Sequence, residues 1–295
     1  MPGDHSVAVL MAEQIMAPAN PQRPVIVHPT DFAPGDGAAM AHAVAMALAS
    51  KSILRLLLVR VDNQSFYSPT QGLRQVRDLL VSWGRLGPDA AYDRWEKELE
   101  LQVSSVSIAA RNARAGILEY LEDAFCNLVV LANYPNKALT RWTDASVHTS
   151  LLRKGQMMSL FVREGRRGFV DPKSGAITLK RILMPVASGV DSVPAIRRIQ
   201  GMQALIDNHA EIQLMHVGKR PPALVDEHGA TLDMPILLRD GAVVEAILAT
   251  ATEFKVDAIA MPTKGRHGLL DAVRGSASAQ VLEDARWPLL AVPVG

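Results

Sequence analysis

The sequence predicts an α/β protein made of two doubly wound parallel sheets, five strands each, joined in tandem. Three observations predict it. Ten short apolar runs punctuate the 295 residues, near-continuous rather than alternating, as in strands covered on both faces. Between them apolar residues recur at helical spacing, and strands separated by helices pair in parallel through right-handed crossovers. Finally, core positions of the first half recur 130 residues later without a gap.

In chain order, the first half offers strands at 25–27, 54–61, 101–108, 128–131 and 160–162. The second offers 182–186, 212–217, 236–238, 258–261 and 289–292. Helical spacing shows at Ile117, Leu121 and Phe125, then at Val243, Ile247 and Ala251. The repeat sets 127–132 against 257–262, Ile117 against Ile247, and Phe161-Val162 against Ala291-Val292. At the first strands Pro29 lies against Pro185, an offset of 156, so the first half holds 26 more residues. These fall within 62–98 and are expected to add or lengthen a helix. The stretch 165–178, with its Arg, Gly and Asp-Pro, reads as a polar linker between domains at 21–165 and 178–295.

Composition narrows the function classes. With 31 basic and 30 acidic side chains, the formal charge of +1 gives no reason to expect nucleic acid as a partner. Cys126 is the only cysteine, which excludes an internal disulfide and a thiolate metal cluster, and it reads as a buried, inert thiol. The histidines are scattered, His28 and His216 lying in or at the ends of strands, so no metal site is expected. Trp83, Trp95, Trp142 and Trp287 are too dispersed to form a stacking platform. No apolar run approaches the ~18 residues of a membrane span. The first 24 residues lack a basic leader, and Glu13 interrupts their apolar patch, so a loose tail and a cytoplasmic protein are expected.

The chemistry concentrates after residue 258: a buried strand, a glycine-bearing loop, a Gly-Ser step into a helix, and another buried strand. Gly265 and Gly275 lack a Cβ, so backbone can approach a bulky anion there. Ser276 can cap the following helix, whose free N–H groups and positive dipole end favour phosphate. Lys264, Arg266, His267 and Arg274 surround the loop, His267 being the best placed to meet a ligand. A turn and helix cap without any ligand would use the same residues. Gly35-Asp36-Gly37 lacks a third glycine, Met40 standing there, and reads as a loop that starts a helix. No base accompanies Ser276, so no catalytic residue is assigned.

These residues resemble the universal stress protein family, specifically its tandem members. The family's motif is Gly, two residues, Gly, nine residues, Gly, then Ser or Thr. The second half gives Pro262-Thr263-Lys264-Gly265, nine residues, then Gly275-Ser276, departing only at Pro262. The resemblance covers 21–295. It implies Rossmann-like sheets of order 3-2-1-4-5, packed as a pseudo-dimer through paired fifth strands. Ligands of such sheets bind where strand order reverses, outside the carboxyl ends of strands one and four. ATP or another adenine nucleotide, with Mg, would then meet Pro185, Ala187, Val217, Pro262, Gly265, His267, Gly275 and Ser276.

The aspartate that the family carries after strand one is Ala187 in the second half and Asp31 in the first. Asp31 also suits a cap for the helix near Gly37. In the first half the loop is broken, with Pro135 and Ala145 for the two glycines and only Ser146 matched. Nucleotide is therefore expected in the second half alone, weakened by about 1–2 kcal/mol for the one missing contact. The implied role is a stress-response protein that signals through ligand-dependent conformation, an internal pseudo-dimer or a homodimer of such chains. Two alternatives stand beside it: a nucleotide-independent adaptor, and an enzyme, for which no acid–base pair is evident.

Overall fold

Where Val, Ile and Leu run uninterrupted, the chain forms strands, and central ones such as those at 25–29 and 289–293 are buried on both faces. The computed structural model describes residues 23–32, 37–61, 69–133, 157–166, 168–226, 228–263 and 277–294. All ten expected runs are strands. In the first half they are β1 (Val25–Pro29), β2 (Ile53–Val61), β3 (Gln102–Ala110), β4 (Leu128–Asn133) and β5 (Met158–Arg163). In the second they are β6 (Arg181–Pro185), β7 (Glu211–Val217), β8 (Ile236–Arg239), β9 (Ala258–Thr263) and β10 (Leu289–Pro293).

The described helices are α1 (Gly37–Ala49), α2 (Pro69–Ser82), α3 (Asp93–Leu99), α4 (Ala113–Asp123), α5 (Val193–Leu205), α6 (Val243–Glu253) and α7 (Ala277–Asp284). Alanine dominates α1, which gives helix propensity and lets the helix press close to the sheet, with Ala39 to Ala47 buried. An Asn112 carboxamide accepts from the Ala115 amide at 2.8 Å to start α4. An Asp191 carboxylate accepts from the Val193 amide at 3.0 Å to start α5. The extra residues of the first half supply α2 and α3. Phe125 departs from its expected helical face: α4 ends at Asp123, and the Phe125 ring is 67% exposed.

The strands form one sheet of ten, in the order β3-β2-β1-β4-β5-β10-β9-β6-β7-β8. Neighbours are parallel except β5 and β10, which run antiparallel with Leu160 opposite Leu290. Those two leucines are themselves 130 residues apart in the chain, so the sheet turns about this pair. Two apolar layers cover its faces, and each contains residues from both halves: Ile26, Leu160, Ile182 and Leu290 in one, Val27, Phe161, Leu183 and Leu289 in the other.

The same bonds recur at the same offsets. The Asn127 side-chain oxygen accepts from the Val25 amide at 2.8 Å. Asp257, 130 residues later, accepts from the Arg181 amide at 2.9 Å and from Lys180 at 2.7 Å. Either acceptor ties the start of one central strand to the approach of its neighbour.

The stretch 165–178 is more than a polar linker. Phe169 and Val170 are buried, and Val170 bridges Ile177 across a turn closed by Gly175 at φ +68°. The Gly175 amide donates to the Asp171 carbonyl at 2.8 Å. Trp83 Nε1 donates to the Pro172 carbonyl at 3.0 Å, and the Phe169 amide donates to His42 Nε2 at 3.1 Å. Polar residues form the turn while its apolar residues clamp α1 and α2.

Candidate functional site: a cleft at the ends of β6 and β9

Strand order reverses between β6 and β9, and their ladder covers only Ile182↔Ala258 and Leu183↔Ile259. Both strands continue beyond it, to Pro185 and Thr263. The separation of these ends makes the crevice that ligands of open α/β sheets occupy. The first half repeats the geometry, with β1 and β4 paired at Ile26↔Leu128 and Val27↔Val129.

The two halves differ in the residues at these strand ends. In the first half buried His28 donates from Nδ1 to the Val130 carbonyl at 2.8 Å, just where the ladder stops. Its counterparts in the second half, Met184 and Ala260, cannot form that bond. After β1 the chain turns inward at Phe32, whose φ is +58° and whose amide donates to Thr30 Oγ1 at 2.9 Å. The Phe32 ring is buried beside α2, so close that a Cβ on Gly72 would stand 2.7 Å from it. The equivalent position after β6 is Ser188, which is exposed along with Ala187 and Gly189.

Of the residues expected at the site, Pro185 ends β6 half-buried, and Ala187 is exposed two residues later. Val217 ends β7 half-buried, and Pro262 is half-buried in β9 against Val292 of β10. Three adjacent strands, β7, β6 and β9, thus bring these four to one edge of the sheet. Gly265, His267, Gly275 and Ser276 lie outside the described residues, as do Pro135, Ala145, Ser146 and Trp142. Asp31 is half-buried just past β1, and residues 33–36 between it and α1 are likewise outside them.

Three further residues join this edge. His216 donates from Nδ1 to the Val186 carbonyl at 2.8 Å, tying the end of β7 to that of β6. A Cβ on Gly218 would stand 2.6 Å from His216 Nε2, and Gly218 has φ +156°, so a side chain is unwelcome there on both counts. Lys219 and Arg220 follow, both exposed, and among the described residues no carboxylate pairs with either. In the sequence only their position immediately after an apolar strand hints at this placement.

These residues fit a polyanion: two cations that pair with no carboxylate among the described residues, a histidine, and a backbone turn exposed at 187–189. No group of three His, Cys, Asp or Glu converges among the described residues. No described helix is long and apolar enough to cross a membrane.

Residues 223–293, which hold β8, α6, β9, α7 and β10, match the model of the universal stress protein family. A universal stress protein from Archaeoglobus fulgidus DSM 4304 superposes with TM-score 0.59 at 12% identity, over 93% of this chain and 100% of that one. A functionally unknown protein from Pseudomonas aeruginosa PAO1 superposes with TM-score 0.59 at 15% identity, over 96% and 95%. A search of curated proteins gives no match. The chain therefore has the α/β fold of those structures, and its carboxy-terminal region carries one universal stress protein domain.

Proposed function

We propose that the chain is a tandem universal stress protein, with domains at 21–165 and 178–295, and that its second domain binds ATP or another adenine nucleotide. The observation that carries this reading is the contrast at one position: Phe32 is buried against α2 after β1, whereas Ser188 is exposed after β6. The tandem reading draws support from bonds that recur at fixed offsets and from an alignment spanning nearly the whole of both chains.

The nucleotide would lie across the ends of β6 and β9, against Pro185, Ala187, Val217 and Pro262. Gly265, Gly275 and Ser276 would offer amides to its phosphates, with His267, Lys219 and Arg220 balancing their charge. Mg would enter with the nucleotide. Binding favours one conformation of the domain and shifts the population toward it, which is the signal in a stress response. Cytoplasmic residence and assembly of two chains belong to the same proposal.

A thermal-shift titration with ATP and Mg tests it. At 100 times Kd the protein should gain roughly 2.7 kcal/mol, and Gly275→Val should remove the gain. Replacing Lys219 and Arg220 by alanine should lower affinity without changing the unliganded melting temperature. No shift in the wild type, or an equal one in Gly275→Val, leaves the nucleotide-independent adaptor as the function. Ala187, which offers no polar contact, is the feature that favours that second reading.

A further inference from the structure

A second concavity lies away from the cleft and shares no residue with it. It is a groove of about 320 Å³ between the ends of α1 and α5, over the starts of β1, β4 and β5. Met46, Met158, Met202 and Leu205 help to line it, and Arg198 is the one charged side chain among the described residues of its wall. Met46 and Met202 are 156 residues apart, as are Ser50 and Ile206, so the groove straddles the line relating the two halves.

That relation also shows what distinguishes the groove. The counterpart of Arg198 is His42, and there the chain covers its own helix: the Phe169 ring meets the imidazole edge-on at 4.6 Å. At Arg198 the wall stays open. Arg198 is exposed, no carboxylate among the described residues pairs with it, and a Cβ on Gly201 one turn away would meet nothing within 4 Å. Cys126, also in the wall, contributes no charge, since burial pushes its thiol up to about 12.

We propose that this groove binds a free aliphatic carboxylate of medium chain length, its tail along the methionines and its head at Arg198. The volume is within the range of small-ligand pockets, and unbranched Met side chains adapt to a flexible tail. A lone cation beside an apolar wall selects an amphipathic anion over a neutral lipid or a polyanion.

The test is calorimetric titration of the full chain with octanoate, decanoate and decanol. Saturable one-to-one binding is expected, about fourfold tighter per added methylene. Decanol should bind up to about fivefold more weakly than decanoate. Gly201→Leu, at a helical wall position where a Cβ would meet nothing within 4 Å, should weaken decanoate at least about tenfold. Arg198→Gln should keep the fold and erase the preference for decanoate over decanol. The proposal is overturned by affinity that ignores chain length, by binding unchanged in both variants, or by binding to anionic phospholipid vesicles but not to free decanoate. It is also overturned if wild type binds nothing and deletion of residues 1–22 unmasks binding, for then that segment is the occupant. Because ATP shifts are read separately, failure here leaves the nucleotide reading intact.

Discussion

His42 shows how a single side chain couples the fold to pH. Its Nδ1–H donates to the Ala38 carbonyl at 2.7 Å, while Nε2 accepts from the Phe169 amide, which fixes the neutral tautomer. Burial lowers its pKa from 6.5 to about 4. The unfolded chain takes up this proton below about 6.5 and the folded chain refuses it until about 4, so the contribution is complete above 6.5 and fades as pH falls. Urea denaturation at pH 7 and pH 4 should show a loss of about 3 kcal/mol that His42→Asn does not share. Asp257 offers a second residue-scale test. Asp257→Ala removes the acceptor of the Lys180 and Arg181 amides, which water can reach, and should cost about 1 kcal/mol, while Asp257→Asn, which keeps an acceptor oxygen, should cost less.

At the scale of elements, the inserted helix and the linker turn are each held by close packing at a glycine. Helix α2 packs onto the turned-in Phe32 at Gly72, where a Cβ would stand 2.7 Å from both Phe32 and Leu56. Gly72→Ala should therefore destabilise by about 1–3 kcal/mol, although the same change in an exposed helix is favourable. The linker turn is tighter still. A Cβ at Gly175 would lie 2.4 Å from the Trp83 ring at a φ of +68°, so Gly175→Ala should cost more than the Gly72 change. Denaturation of the two variants side by side checks the ranking, and an equal or smaller effect at Gly175 would mean that the linker is not clamped to α2.

For the whole molecule, the decisive feature is that both apolar layers cross the β5–β10 junction. Leu160 and Leu290 are 1% and 4% exposed, and they face each other at its centre. The halves should accordingly unfold in one cooperative transition by differential scanning calorimetry, rather than in two. Leu160→Ala should lower stability by about 2–5 kcal/mol and move that single transition. Two separable transitions, with only the first shifted, would show that each half keeps a core of its own.

What the sequence determined by itself was the secondary structure and its repetition. Apolar runs such as Leu56 to Val59 are legible because a stretch of strand sealed on both faces needs consecutive apolar side chains, and the offsets of 130 and 156 survive wherever core positions are fixed by packing. The site was legible only in part. Pro185 and Pro262 could be placed because they end strands, whereas His216 and the Lys219-Arg220 pair could not, since their importance lies in which strand ends are neighbours. Phe125 misled because three apolar residues at helical spacing do not say where the helix stops. Tertiary structure alone decided that Phe32 turns inward beneath α2, that a polar linker buries Phe169 against His42, and that Arg198 is left facing an open groove. The physical reason is common to all three: each depends on contacts between segments tens to more than a hundred residues apart, and local composition carries no record of such partners.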